Sequence, residues 1–276
     1  MNICSMSYRN CDVVVISDVH LGTYGCHAEE LLYYLKSIQT KLLILNGDII
    51  DGWNFSKNYF PESHFALLQY IIKLLQSGTQ IVYITGNHDD FLRKYSDLEL
   101  GNLLIVDKYI LELEGKTYWF FHGDVFDFSI QGLNRITAKI GGKAYDFLIL
   151  MNQFLNRILI SLGRERYSLS KKIKNVVKNA LQFIQDFEEK ACINAIAHGY
   201  HYVVCGHIHC PKYKKFSNED GEVIYMNSGD WVENLSSLEY EDGTWKIFQF
   251  PNQIQIPSSA NYSTHKEAKI LELQDA

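Results

Sequence analysis

Short apolar runs alternate with segments of helical period through the first third of the chain. Asp12–Ile16, Lys41–Leu45 and Gln80–Ile84 are nearly continuous in Val, Ile and Leu. Runs of that kind read as strands buried on both faces. Between them, His27–Gln39 and Ser63–Gln76 carry a helical period. In the second, Leu67, Ile71, Leu74 and Leu75 share one face and Ser63 stands as N-cap. A βαβαβ start predicts a parallel sheet. Tyr109–Leu113 and Thr117–Phe121, joined by Glu-Gly-Lys, read as a hairpin. From Ser129 to Ala197 the pattern is helical, without a strand signal. Strands return at Tyr202–Cys205, Val223–Met226, Ser237–Tyr240 and Trp245–Phe250, and a polar tail, expected to be poorly ordered, follows Pro251. There is no internal repeat. The expected organisation is an α/β sandwich formed by 1–128 and 198–250, a helical cap inserted at 129–197, and a tail at 251–276.

Composition narrows the class. With 47% hydrophobic and 21% charged residues, the 276-residue chain is globular, which excludes disorder, collagen and coiled coil. It is long enough to bury a full core without disulfide or metal staples. The six cysteines show no CxxC spacing and read as free thiols in a reducing compartment. No basic segment followed by an apolar run opens the chain, and no uninterrupted run of 18 apolar residues occurs. A cytosolic protein with no signal peptide and no transmembrane helix is therefore expected. The net charge of −6 argues against nucleic acid as partner. The charge is unevenly spread, however. Between Arg135 and Lys178 ten basic residues face only Asp146 and Glu165. That asymmetry suggests an anionic partner for the segment, such as a phosphate, a nucleotide or a lipid headgroup.

Candidate chemistry sits in five short motifs, each placed after a strand. They are Ser17-Asp18-Val19-His20, Gly47-Asp48-Ile49-Ile50-Asp51, Gly86-Asn87-His88-Asp89, His122-Gly123-Asp124 and Gly206-His207-Ile208-His209. Loops at the carboxyl ends of strands in α/β sheets collect ligands. Residues i and i+2 of an extended segment share a face, so Asp-x-His and His-x-His each throw two side chains one way. Asp, Asn and His together suit Mn²⁺, Fe²⁺ or Zn²⁺. Two metals about 3.5–4 Å apart need a bridging carboxylate, and Asp48 is the candidate.

In this set the sequence resembles the calcineurin-like metallophosphoesterases, whose pattern is D-x-H, G-D, G-N-H-D/E, H and G-H-x-H. The resemblance spans Asp12 to about Phe250. It implies a four-layer α/β/β/α sandwich around a two-metal centre. Asp18, His20 and His209 would hold one metal; Asn87, His122 and His207 would hold the other, with Asp48 bridging. His88 would act on the leaving group or a phosphoryl oxygen, and Asp89 would orient its ring. Asp51 and Asp124 are expected to support the ligands by hydrogen bonds.

Further features are similar to the UDP-2,3-diacylglucosamine hydrolase group of that superfamily: Leu21-Gly22, Asp51-Gly52-Trp53, His122 to Asp127, and Asn227 to Glu233. That resemblance implies cleavage of the UDP-2,3-diacylglucosamine diphosphate to UMP and 2,3-diacylglucosamine 1-phosphate, in lipid A biosynthesis at the cytoplasmic membrane face. The group's best-known enzymes carry Arg where this chain has His88. Physical features of the insertion agree with a lipid substrate. Phe147–Leu162 holds eleven apolar residues, with Asn152, Gln153, Asn156 and Arg157 on one stripe. Ile173, Val176, Val177, Ala180, Leu181, Ile184 and Phe187 form a second stripe, with Lys171, Lys174 and Lys178 on another face. Basic amphipathic helices suit a membrane surface, although a cap packed on the sandwich would show the same pattern. Asn87, His88, Arg157, Arg164, Arg166, Lys171 and Lys174 are the candidate substrate contacts. Trp53 and Trp231 are candidates to stack on uracil. A soluble nucleotide or another phosphodiester is the alternative substrate.

Overall fold

A computed structural model describes residues 9–54, 59–126 and 169–251. Strand alternation explains its layers. In β1 (Arg9–Ile16), Val13 and Val15 point one way and Val14 and Ile16 the other. β2 (Ile38–Asn46) and β3 (Gln80–Ile84) pair parallel with their neighbours. Val14, Ile16, Leu43, Leu45 and Ile81 pack against α1 (Ala28–Lys36) and α2 (Glu62–Gln76), through Leu31, Leu35, Leu67 and Ile71. Val13, Val15, Ile44, Val82 and Ile84 face inward.

This first sheet has seven strands in the order β12-β11-β1-β2-β3-β5-β4. β4 (Leu98–Leu100) and β5 (Leu103–Val106) extend it on one side; β11 (Ser236–Glu241) and β12 (Thr244–Gln249) extend it on the other. The second sheet has five strands in the order β6-β7-β8-β10-β9. It is built from β6 (Lys108–Leu113), β7 (Lys116–Phe121), β8 (Tyr202–Cys205), β9 (Lys212–Asn218) and β10 (Gly221–Asn227). Its inner residues, Tyr118, Phe120, Tyr202, Val204 and Met226, meet the first sheet's inner face. Its outer residues, Trp119, Phe121, Val203, Cys205, Val223 and Tyr225, lie under α3 (Leu169–Ala197). Phe187, Ala191 and Ala195 of α3, spaced four apart, are all buried on that face, and the two alanines let the helix sit close. The four-layer α/β/β/α sandwich is therefore present. Each fully buried Leu, Ile or Phe in it is worth roughly 1.5–3 kcal/mol by removal from water.

Several boundaries differ from the sequence reading. α1 stops at Lys36, because the Ser37 N–H turns back to the Tyr33 and Tyr34 carbonyls, and Ile38 and Gln39 already belong to β2. α2 starts one residue before Ser63. Pro61, with φ −65°, is its N-cap, and its carbonyl accepts the His64 and Phe65 N–H groups. β4, β5 and β9 were not anticipated. Leu181 leaves the expected apolar stripe of α3 and is 56% exposed, while Phe187 keeps its place. The segment 127–168, with Phe147–Leu162, Arg157, Arg164 and Arg166, lies outside the described residues, as do the tail beyond Pro251 and the side chains of Lys171, Lys174, Ile173, Val176 and Val177. The five described cysteines are free thiols. No helix among the described residues is long and apolar enough to cross a membrane.

Candidate metal centre

Register brings the motifs together. Ile16 of β1 lies opposite Leu45 of β2, and Asn46 lies opposite Ile84 of β3. The three strands therefore end level, and Asp18, Asp48 and Asn87 leave them side by side. β7 and β8 run parallel in the second sheet, pairing Phe120 with Val204, so His122 and His207 also emerge at one end. The two ends face each other. His122 Nε2 is 3.1 Å from Asp48 Oδ2, and His209 Nε2 is 3.1 Å from Asp18 Oδ1. Three sets of donor atoms each fall within 4.8 Å: Asp18, His20 and His209; Asp48, His122 and His207; and His20, Asp48 and His88. Asp48 belongs to two of them.

Buried polar atoms are normally hydrogen-bonded. Here Asp18 Oδ1, His20 Nε2, Asn87 Oδ1 and His122 Nε2 are buried without a well-formed hydrogen bond, Asp18 Oδ1 and His122 Nε2 having only their charge contacts to His209 and Asp48. The opposite ring nitrogens are occupied. His20 Nδ1 lies 3.1 Å from Asp51 Oδ2, and His122 Nδ1 lies 2.9 Å from the Asn46 carbonyl. Such contacts fix the tautomer and leave each Nε2 lone pair toward the cluster, as metal-ligating imidazoles require. Orphaned oxygen and nitrogen atoms of this kind fit divalent cations.

The backbone is strained at the same places. Asp18, His20, Asp48, His207 and His209 all have φ between 52° and 64°. For residues other than glycine this left-handed region costs roughly 1–2 kcal/mol each. Stitching between the loops holds them there. Asp18 N–H donates to the Gly47 carbonyl, His20 N–H to the Asp48 carbonyl, and Gly206 N–H to the His122 carbonyl. Asp18 Oδ2 accepts the His207 N–H, and Asp48 Oδ1 accepts the His88 N–H. Glycine is required at 47: φ is +84°, and a Cβ there would lie 2.3 Å from His122 Nδ1.

Electrostatics follow from this crowding. Burial works to raise the pKa values of Asp18 and Asp48, but His209 and His122 outweigh it and both carboxyls lie below the usual range. Burial works to lower His122 and His209. The neighbouring carboxylates prevail, taking His122 well above its ordinary value and His209 to about 9. The centre thus carries paired charge that cations can replace.

His88 sits beside this cluster. Its Nδ1 lies 3.0 Å from Asp51 Oδ1, and its Nε2 lies 4.0 Å from Asp48 Oδ2. Burial would lower its pKa, but Asp51 and Asp48 hold it raised. Asp89 was expected to orient this ring, and the structure corrects that. The Asp89 carboxylate accepts Gly86 N–H (2.5 Å), Ile49 N–H (2.9 Å) and the Tyr83 hydroxyl (2.6 Å), so it braces two loops. Burial raises its pKa. The orienting carboxylate is Asp51, which also accepts Trp53 and Asn54 N–H groups. Burial works to raise its pKa, but the His20 and His88 rings, with Asn54, outweigh burial and lower it. Asp124 receives Arg93 Nη2 at 2.5 Å. Trp53, half exposed, packs on His88 with ring centroids 4.5 Å apart, whereas Trp231 is fully buried and cannot stack on a base.

Sequence reasoning missed four supports. The Asn46 carbonyl holds His122. His64 Nδ1 accepts the Gly22 N–H, fixing the loop after His20. Asp230 accepts three successive backbone N–H groups, Val232 to Asn234. Asn234 then donates to the His209 carbonyl at 2.7 Å. Only Asp230, an Asp preceding a turn, left a readable signal.

Comparison with known proteins agrees with this geometry. A calcineurin-like phosphoesterase family model matches residues 12–211. The chain is 28% identical over 212 residues to "UDP-2,3-diacylglucosamine hydrolase" of Aeromonas salmonicida (strain A449), covering 75% of this chain and 80% of that protein. It is 24% identical over 246 residues to the protein of the same name from Aliivibrio fischeri (strain MJ11), covering 85% and 97%. Among solved structures it is loosely similar to Yfce, a phosphoesterase from E. coli, at 13% identity and a TM-score of 0.41, covering 88% of this chain and 94% of that one. With the family match extending over most of its length, the chain belongs to the calcineurin-like phosphoesterases and is a metal-dependent hydrolase.

Proposed function

We propose that the protein cleaves the diphosphate of UDP-2,3-diacylglucosamine, releasing UMP and 2,3-diacylglucosamine 1-phosphate. The observation that carries the chemistry is the pair of donor sets that share Asp48, together with the buried donor atoms of Asp18, His20, Asn87 and His122 that lack well-formed hydrogen bonds. Asp18, His20 and His209 would hold one cation and Asn87, His122 and His207 the other, with Asp48 shared between them. The mixed carboxylate, amide and imidazole donors suit Mn²⁺, with Fe²⁺, Mg²⁺ and Zn²⁺ as alternatives. Bound there, divalent cations neutralise phosphate charge and acidify a water.

The protein's own side chains do the rest. Asp51 fixes His20 and His88 at once, tying the His88 ring to the ligand geometry. His88, with its pKa raised, holds a proton to give to the leaving phosphate oxygen. Such a transfer is typically worth about 10²–10⁴-fold. Trp53, packed on His88, offers an apolar face at the rim for the uracil or the sugar. The names of the relatives, at coverage of three quarters of the chain or more, support the lipid-linked substrate. Peripheral contact with the inner membrane face, from the cytoplasm, belongs to the same reading, as does a cap role for 129–197.

A second reading, hydrolysis of a soluble nucleotide or other phosphodiester, is favoured by His88 standing where Arg is usual in the lipid A enzymes. The test is turnover of metal-stripped, Mn²⁺-reconstituted protein on UDP-2,3-diacylglucosamine, with phosphorus NMR of the products. Mn²⁺-dependent UMP release is expected. Hydrolysis of bis-p-nitrophenyl phosphate without UMP release would discard the lipid substrate and keep the phosphoesterase.

A further inference from the structure

Four residues after His20, Tyr24 stands 77% exposed with its ring against that of Tyr59, centroids 3.8 Å apart and planes 34° off parallel. The loop that carries it is held by several contacts. Thr23 N–H and Thr23 Oγ1 both donate to the His20 carbonyl, at 3.2 and 2.8 Å. Gly22 N–H donates to Nδ1 of the buried His64, at 3.1 Å. His27 N–H, beyond the tip, donates to the Trp231 carbonyl at 3.0 Å. Tyr59 is seated by the same histidine, which it meets edge-on at 5.8 Å. His64 thus supports both tyrosines, one through the backbone of its loop and one through its ring. A solvent-facing ring pair is thereby tied to the loop of a candidate ligand. The surroundings of the two donor sets differ. His20 belongs to the Asp18/His20/His209 set, next to this pair, whereas His207 of the other set has Phe187 of α3 beside it, at 6.3 Å between ring centroids.

We propose that Tyr24, seated on Tyr59, is the platform on which the nucleobase of the substrate stacks, so that the nucleoside lies at the His20 end of the centre and the lipid-bearing sugar at the α3 end. This rests on the reading of the substrate as a nucleotide diphosphate. The exposure of Tyr24 decides between the two parts of such a substrate. An acyl chain gains by enclosure in apolar walls, which a ring 77% exposed does not give. A flat base gains by contact with one aromatic face, and an open ring held in place offers that. Because the loop and the supporting ring are already fixed, little ordering is needed on binding. The uracil then falls to the tyrosine pair and the sugar to Trp53.

The test is calorimetric titration of UMP, and of ribose 5-phosphate as the same molecule without its base, into the Mn²⁺-loaded full chain. Tyr24→Ala is compared with Tyr24→Phe and with Tyr213→Ala, which removes a half-exposed tyrosine from β9 on the other sheet. The wild type should hold UMP more tightly than ribose 5-phosphate. Tyr24→Ala should weaken UMP about 5–100-fold and leave ribose 5-phosphate within about twofold, as loss of one base–aromatic stack requires. Tyr24→Phe, which keeps the ring, and Tyr213→Ala should leave both ligands within about twofold. UMP held no better than ribose 5-phosphate by the wild type, or UMP affinity unchanged in Tyr24→Ala, would overturn the proposal. So would equal weakening of the two ligands in Tyr24→Ala, because that reports damage to the His20 loop rather than a lost stack. Turnover of UDP-2,3-diacylglucosamine is read separately. Its absence, with the Tyr24-dependent preference for UMP intact, would strike the lipid substrate and leave the base platform standing.

Discussion

Gly47→Ala separates backbone strain from ligand displacement. The φ of +84° at Gly47 is in the left-handed region, so any side chain there costs about 1–2 kcal/mol. The larger effect is steric. A Cβ would lie 2.3 Å from His122 Nδ1 and 2.4 Å from its Cγ. Ordinary contact needs about 3.5 Å or more, so the ring must move by roughly 1 Å. That shift breaks the 2.9 Å contact between His122 Nδ1 and the Asn46 carbonyl. It also exceeds the tolerance of about 0.2 Å on a ligand distance. A misplacement of about 1 Å costs on the order of 10²-fold. The control is Gly78→Ala, at φ +95° with nothing within 4 Å of its added Cβ. Gly78→Ala should lose the backbone cost alone, and Gly47→Ala should lose more through the clash and the broken His122–Asn46 contact, both read as Tm without metal. Only Gly47→Ala should lose the rise in Tm on adding Mn²⁺, with kcat/KM falling about 100-fold. Mn²⁺-induced stabilisation in Gly47→Ala equal to that in Gly78→Ala would refute the reasoning.

Three further outcomes follow from the site. Asp51→Asn removes the carboxylate shared by His20 and His88; Mn²⁺ affinity should fall about 10–100-fold, measured by competition with a chelating dye, and an unchanged affinity would remove Asp51 from the ligand scaffold. His88→Ala should keep its metal content, by elemental analysis, yet lose about 10²–10⁴ in kcat, and a loss of metal instead would make His88 a ligand. His209 has its pKa raised from 6.5 to about 9, so its protonated form stabilises the metal-free fold fully below pH 6.5, and that stability is lost as pH rises through 9. Because a cation must displace this proton, apparent Mn²⁺ affinity should rise by up to about tenfold per unit from pH 7 to 9 and then level off; a flat profile would contradict the pairing with Asp18.

The layers were legible because buried parallel strands read as apolar runs, and β1, β2 and β3 emerged at the expected places. β9, Lys-Tyr-Lys-Lys-Phe-Ser-Asn, was not legible. It is a mostly exposed edge strand, and a lysine-rich edge has no apolar face to announce it. α1 was read too long because Ile38 keeps the helical period, while the chain turns at Ser37 into β2. At the centre, the motif spacing brought six of the seven candidate ligand residues into overlapping or adjacent donor sets because each follows a strand end, and Asn87 precedes His88 in the loop after β3. The orienting role went to the wrong carboxylate. Asp89 is adjacent to His88 in sequence, but it points into the loops and bonds Tyr83, while Asp51, 37 positions earlier, reaches the ring across the cluster. That is a through-space relation with no sequence period. Backbone acceptors such as the Asn46 carbonyl leave no residue-type signal at all.

The most direct test of a paired cation centre is electron paramagnetic resonance of the metal-free protein loaded with two equivalents of Mn²⁺. A spin-coupled Mn²⁺ pair in the wild-type chain, lost in Asp48→Asn, is the predicted result, since Asp48 is the one carboxylate shared by two of the three donor sets. Isolated six-line Mn²⁺ signals in the wild type, unaffected by Asp48→Asn, would contradict the account.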